Sequence, residues 1–305
     1  MLNTKKLSII ASLLLLVGII GSIFTFNLIE KPEFLTKEID INDENFKNID
    51  IQTNDMGIEI IPTNEKSALI EISGHDLNNN FSATVTDSTL SIIYNESKRK
   101  LYNLDSNFAS NSATMKVYVP KKIYETIRVH GNNGALSAEG LDAKEVEFKA
   151  NDGAILLRNI NADSVIAISQ NGKIKTEDLT GSTFSLIAND GRINSKNITA
   201  DSVSIVSHNG KIELDNVKGK LTAKANDGRI QLVTETLDYP IEFTTHNGKI
   251  DIQSNNEPEN ATIDAQANNG SITIFGENKS QAVFGLGENK IKLSSNDGKI
   301  IVKNQ

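Results

Sequence analysis

From about residue 124 to the carboxyl terminus, apolar residues recur at fixed distances on either side of a turn glycine. The glycines are Gly134, Gly153, Gly172, Gly191, Gly210, Gly228, Gly248, Gly270 and Gly298, and their successive spacings are 19, 19, 19, 19, 18, 20, 22 and 28 residues. Two residues after the glycine stands Leu136 and then, in every later unit, isoleucine: Ile155, Ile174, Ile193, Ile212, Ile230, Ile250, Ile272 and Ile300. Seven and five residues before the glycine every position is apolar, from Ile127 and Val129 to Ile291 and Leu293. Three before it only small residues occur: Gly131, Ala150, Ser169, Ala188, Ser207, Ala225, Thr245, Ala267 and Ser295. A period of two puts such positions on one side of a strand, and the small position predicts the inside of a tight corner. Repeats of this length predict stacked units, with function spread over a ribbed surface rather than held in one pocket.

Each unit reads as strand, Asn-Asp-Gly or X-Asn-Gly turn, strand, and a looser second turn such as Asn161-Ala162-Asp163, Thr180-Gly181-Ser182 or Val217-Lys218-Gly219. An antiparallel meander fits that order, because Asn-Gly between alternating strands is a strong hairpin signal. A parallel solenoid with coils about 4.8 Å apart fits it too. A coil stacks like on like, whereas a meander gives each residue a different neighbour and no reason to repeat isoleucine. The expectation is therefore an all-β parallel β-solenoid with coils of about 19 residues, right-handed if strand twist decides.

The turns alternate. Asn151-Asp152-Gly153, Asn189-Asp190-Gly191 and Asn226-Asp227-Gly228 interleave with Gln170-Asn171-Gly172, His208-Asn209-Gly210 and His246-Asn247-Gly248. Aspartate on every coil would place like charges about 5 Å apart, which the interleaved asparagines avoid. Lys173, Arg192, Lys211, Arg229, Lys249 and Lys299 follow the glycines and are expected as a solvated basic row with weak ion pairs.

Ahead of the repeats, Lys5 and Lys6 precede an uncharged run of 23 residues from Leu7 to Ile29, enough to span about 30 Å of hydrocarbon as a helix. A secretory signal has the same charged start but a shorter apolar core, and no A-x-A cleavage site lies between Gly18 and Glu30. Residues 1–6 are accordingly expected in the cytoplasm, 7–29 as an uncleaved single-pass anchor, and the repeats outside the cell. Residues 30–45, with Pro32, read as a stalk, 46–123 as a β-rich cap and 124–305 as the solenoid. A cap is expected because an open solenoid end exposes unpaired backbone and apolar side chains. Within it Lys98 to Ser112 reads as a loop, and Pro120 closes the last strand. Phe275 to Lys290 enlarges one unit and reads as a protruding loop or a terminal cap, with Phe284 and Leu286 packing over the last coil.

Composition narrows the chemistry. With 305 residues and a net charge of −8 the chain has no overall basic field for nucleic acid. The absence of cysteine excludes disulfides, thiolate metal sites, a cysteine nucleophile and a lipid-modified cysteine. Aromatic residues make up 5% with no tryptophan, which argues against stacking platforms for sugars or single strands. His75 and His130 are isolated, while His208 and His246 share a turn position two units apart, about 10 Å and too far for one metal ion. The Gly-Gly-X-Gly-X-Asp pattern of calcium-binding β-rolls is missing. Polysaccharide-acting β-helix enzymes would show a local break in the repeat with clustered carboxylates, yet Asp152 through Asp297 are turn aspartates of one type. There is no Gly-X-Ser-X-Gly elbow and no phosphate-binding glycine-rich loop. No catalytic, cofactor-binding or metal-ligating residue, and no cofactor, is therefore expected.

The amino-terminal apolar run, the segment Met115-Lys116-Val117-Tyr118-Val119-Pro120, and Thr126-Ile127-Arg128-Val129 leading into Asn-Gly-X-Ile units together resemble the bacterial putative-adhesin family of β-strand-repeat proteins of unknown function. The likeness is greatest to the membrane-anchored member of the Lia cell-envelope stress operons of Gram-positive bacteria. The resemblance covers nearly the whole chain and implies an extracytoplasmic β-solenoid in envelope stress or surface interaction, with no catalytic residues. The expected function is a non-enzymatic, anchored interaction module that binds an envelope protein or a cell-wall polymer. The alternative is a self-associating surface scaffold.

Overall fold

Isoleucine stacks on isoleucine through the repeat. Ile155 faces Ile174, Ile193, Ile212, Ile230 and Ile250 in turn, always in parallel register, as expected of a coil and not of a meander. The computed structural model describes residues 4–28, 34–75, 77, 81–95 and 113–305. Among these there are one helix, Thr4–Leu28, and 22 strands joined in one sheet. The first three residues of the expected cytoplasmic tail, residues 30–33 of the expected stalk and the expected loop at 98–112 lie outside the described residues, as does the side chain of His75.

Long strands such as Ile155–Ser169, Ile174–Ala188 and Ile193–Ser207 cannot run straight within a 19-residue coil. They bend where pairing lapses, first at Asn159, Asp178 and Asn197 and again near Asp163, Ser182 and Asp201. The first bend uses left-handed backbone, with φ of 51° at Asn159, 57° at Asp178, 52° at Asn197 and 54° at Asn216, a conformation that Asn and Asp tolerate best among residues with a Cβ. The sequence marked only the second bend. Each coil thus has three sides, and one coil sends Ile155 and Leu157, Ile160 and Ala162, then Val165 and Ala167 into the interior, all buried. Large side chains stack on small ones where the core narrows, Phe148 against Ala167 and Ala223 against Phe243, which keeps the packing dense.

The turn glycines are not required by their φ, since none of them adopts left-handed backbone. They are required by their neighbours. A Cβ on Gly191 would lie 1.8 Å from the carbonyl oxygen of Gly172, and one on Gly210 would lie 1.8 Å from that of Gly191. Corner serines use the same carbonyls: Ser169 Oγ donates to Gly153 O at 3.1 Å and accepts from Gly172 N at 2.9 Å.

At both ends the stacking order departs from the chain order. Ile250 faces Ile300, and Ile300 faces Ile272; likewise Ile241 faces Ile291, which faces Ile263. The last coil, with strands Asn289–Ser295 and Ile300–Asn304, is therefore inserted beneath the coil that precedes it in sequence, rather than added on top of it as the repeat suggests. The Phe275 to Lys290 segment makes this possible: Gln281–Phe284 folds back antiparallel on Ala261–Ala267, and the chain then returns one layer inward. Phe275 and Phe284 meet edge to face at 5.6 Å, whereas Leu286, expected to pack over the last coil, is 84% exposed.

The amino-terminal end repeats this device. Asn48–Thr53 and Gly57–Thr63 form a coil that lies directly on Ile123–Gly131 and Leu136–Glu139, with Ile49 facing Ile127 and Ile58 facing Leu136. On its other side lie Thr89–Tyr94 and Thr114–Pro120, which bring Leu90 and Met115 into the same columns. Residues 48–63, expected in the cap, thus belong to the stack, and only the antiparallel strands Phe81–Thr86, Ala68–His75 and Phe34–Ile41 cover its end. Phe34–Ile41 also corrects the expected stalk: its alternation of apolar and polar residues, ending in Ile39 and Ile41, adds an edge strand with Ile41 buried. Phe46 and Tyr124 stack at 6.1 Å beneath Lys122, whose ammonium lies 4.2 Å from the Phe46 ring.

The helix runs from Thr4 to Leu28, close to the expected 7–29, and Leu13 to Val17, Ile19 and Ile20 are exposed on it. Among the described residues no helix is long and apolar enough to cross a membrane; its described side chains, Ser8 and residues 10–22, cover less than the apolar run in the sequence.

Gly191→Ala should cost more than about 3 kcal/mol, because the methyl group meets backbone that cannot move without parting two coils. Ile193→Val, two residues away, should cost about 0.5–1.5 kcal/mol. Urea midpoints of the two variants would reverse this order if the glycine column were not what spaces the coils.

Candidate functional surface

The turn edge carries a ladder that becomes regular only in stacking order. Read coil by coil through the parallel register, the residue before the glycine position is Asp55, Asn133, Asp152, Asn171, Asp190, Asn209, Asp227, Asn247, Asp297 and Asn269. Aspartate and asparagine alternate without exception. Each asparagine donates to the aspartate of one neighbouring coil: Asn171 Nδ2 to Asp152 Oδ1 at 2.5 Å, Asn209 to Asp190 at 2.5 Å, Asn247 to Asp227 at 2.6 Å and Asn269 to Asp297 at 2.7 Å. Asn133 donates to Asp55 in the same way. In chain order Asn247 and Asn269 are consecutive and the rule fails; the inserted Asp297 restores it.

Beside the ladder the basic row is partly neutralised. Lys211 pairs with Glu213, and both Arg229 and Lys249 reach Asp251, the latter at 2.7 Å. The Asp251 side chain is only 4% exposed. Burial works against its charge, but hydrogen bonds from Lys249 and Arg229 win and hold its carboxyl below the usual aspartate range. Arg158 lies between Glu139 at 3.6 Å and Glu177 at 3.5 Å. The Arg158 pairs are more open to solvent and each adds little to stability.

The third side of the coil carries the least charged stretch of the exterior. Ser164, Ile166 and Ile168 face outward on one coil, Thr183, Ser185 and Ile187 on the next, and Ser202, Ser204 and Val206 on the third, in direct register. Glu145, Glu147 and Lys149 border this grid on one side, and Lys220 and Lys224 on the other. At its corner is an open depression of about 420 Å³ lined by His130, Gly131, Lys149, Ala150, Asn151, Ile168 and Gln170. His130, isolated in the sequence, here meets Glu147 at 2.8 Å, and Lys149 reaches the same carboxylate oxygen at 2.8 Å. Burial again opposes the charge on Glu147, and bonds from Lys149 and His130 keep its carboxyl below the usual range. His208 and His246 are exposed turn residues with the Asn226 turn between them. Among the described residues no three His, Asp or Glu side chains converge as a metal site would require.

The sequence profile of Toastrack DUF4097 matches residues 46–303. The chain belongs to the Toastrack family. Solved structures share its fold across nearly its whole length. A putative adhesin from Parabacteroides merdae is 16% identical over 90% of this chain and 96% of its own, with a TM-score of 0.55. A putative adhesin from Parabacteroides distasonis is 12% identical over 89% and 98%, with a TM-score of 0.53. A protein of the same species described as a putative lipid binding protein is 15% identical over 87% and 96%, also at 0.53. No match is found among curated proteins. At these identities the likeness establishes the Toastrack fold and carries no site residue across. In this Toastrack chain the match begins at Phe46, the ring that closes over Tyr124.

Asn209→Asp would put aspartates on three consecutive coils, at 190, 209 and 227. At neutral pH it should destabilise the Toastrack domain by roughly 1 kcal/mol. The deficit is charge repulsion, so it should be smaller in acid than at neutral pH. Asp251 has the opposite sign: its depressed pKa contributes stability above the ordinary aspartate range that is lost as pH falls through the depressed value, and Asp251→Asn should lack that acid limb. Urea midpoints between about pH 7 and pH 3 read both effects; parallel curves for all three proteins would contradict them.

Proposed function

We propose that this Toastrack protein is a non-enzymatic, adhesin-like binding module, held on the outer side of a cell membrane by its amino-terminal helix, that grips a cell-wall polymer. The observation that carries the reading is the uncharged grid on the third side of the coil. Its hydroxyls repeat about every 4.8 Å along the stack and about every 7 Å along the strand, and each can both donate and accept a hydrogen bond. Ile168, Ile187 and Val206 supply an apolar strip beside them. Three coils by five residues make a face of roughly 14 Å by 17 Å, well below the roughly 800 Å² per partner that a standard protein complex buries. That favours a thin, repeating, uncharged chain held by many weak contacts.

Anchoring is supported by the uncharged run Leu7 to Ile29 behind Lys5 and Lys6 and by the apolar residues distributed all round the helix, as suits lipid rather than one packed face. A part in an envelope stress response, as in the Lia operons, rests on the resemblance of the sequence alone. The names of the structural neighbours, adhesins and a lipid-binding protein, accord with binding rather than catalysis.

Purified wall polymer should retain the protein at near-physiological salt, and Ser185→Lys should reduce that retention by tenfold or more, about 1.4 kcal/mol, by setting a charge in the middle of the grid. Retention that is absent, or indifferent to the lysine, would defeat the reading. A tag at the carboxyl terminus should be cleaved by protease added to intact cells.

A second reading, self-association into a surface scaffold, is favoured by the edge strand Gln281–Phe284, where Val283 is 63% exposed. Exposed edges of this kind pair with other chains. Val283→Lys should abolish concentration-dependent assembly in light scattering if that reading holds, and a monodisperse monomer would remove it.

A further inference from the structure

Five turns place asparagine directly before glycine: Asn133, Asn171, Asn209, Asn247 and Asn269. Glycine offers no side chain to hinder its own nitrogen, so this dipeptide is prone to a slow reaction with itself. The glycine nitrogen bonds to the asparagine Cγ and gives up its proton, the side-chain nitrogen leaves as ammonia, and a succinimide ring results. Water then opens the ring to aspartate or to isoaspartate, in which the main chain runs through the former side chain. No oxidant, reductant or cofactor is involved.

The structure sets Asn171 and Asn209 apart from Asn269. Gly172 N is held by Ser169 Oγ at 2.9 Å and Gly210 N by Ser207 Oγ at 3.0 Å. Each serine passes its own hydrogen to a glycine carbonyl of the adjacent coil, at 3.1 Å for Gly153 and 3.2 Å for Gly191. The attacking nitrogen is thus engaged at a buried glycine, in a corner fixed by two coils. At Asn269 the corner residue is Ala267, which has no hydroxyl, and Gly270 is exposed on the outermost coil.

We propose that Asn269 is a site of spontaneous deamidation, and that the corner serines Ser169 and Ser207 preserve Asn171 and Asn209 as amides. The product changes the molecule at one place. Asn269 Nδ2 donates to Asp297 Oδ1 at 2.7 Å; a carboxylate there has no hydrogen to give and faces a like charge. Isoaspartate lengthens the main chain beside Gly270, where a Cβ would already lie 1.8 Å from Gly298 O. Either product loosens the coil that covers strands Asn289–Ser295 and Ile300–Asn304, so the carboxyl-terminal end of the stack opens with age.

The full-length protein in detergent micelles, held in mildly alkaline buffer and sampled over weeks by peptide mapping and mass spectrometry, tests this. Conversion at Asn269 should outpace Asn171 and Asn209 by about tenfold, the scale of one hydrogen bond that must first be broken. Ser169→Ala should raise the rate at Asn171 several-fold while leaving Asn209 unchanged, and alanine already occupies this corner at Ala150 and Ala188. Equal rates at Asn269 and Asn171 in the unaltered protein, no conversion at Asn269, or a Ser169→Ala variant with an unchanged rate at Asn171 would each overturn the proposal.

Discussion

Between successive turns there is room for a backbone carbonyl and nothing more. From Gly134 over Met56 to Gly270 over Gly298, the place of each missing Cβ is taken by an oxygen of the neighbouring coil. That contact sets the coils at sheet spacing along the edge where the chain reverses. Once the turns are held so, side chains at equal offsets must lie over one another, and each column must satisfy itself. Isoleucine does so by packing against isoleucine. A charged residue cannot, and the Asp–Asn alternation is the outcome.

The columns were legible because the isoleucines, the paired apolar positions and the small corner residues repeat at constant offset. The corner itself was read as a steric matter only; its serines also hydrogen-bond the glycines, as Ser169 and Ser207 show. What escaped was order. Eight isoleucines at similar offsets say that coils stack but not which coil lies on which, since any two have matching columns. The turn residues held the answer: Asn247 followed by Asn269 breaks an alternation that Asp297 repairs. Asp55, in a segment where the unit length is lost, is the matching clue at the other end.

The candidate surface was less legible than the fold for a related reason. Outward residues are free to vary, so Ser164, Thr183 and Ser202 form no motif when read along the chain, and His130 stands 17 residues from the Glu147 it touches. Stacking converts separations near the coil length into contact. Ile166, Ser185 and Ser204 become neighbours although none shares a local pattern. A binding surface on such a scaffold is written down the columns, one residue per coil, and single-site conservation of chemistry is a weak guide to it.

The inserted coil bears on how the protein is made. A solenoid whose coils were stacked in chain order could form from front to back as the chain emerged, each new turn templated by the last. Here Ala261–Ala267 and Ile272–Ile274 emerge before the strands they will eventually cover. They must wait unpaired, or pair early with Ile241–Thr245 and Ile250–Ser254 and then give way. Vectorial synthesis is thus obliged to end in a concerted closure, and the same interlock leaves the finished domain without a loose outer layer at the point where its chain order ends.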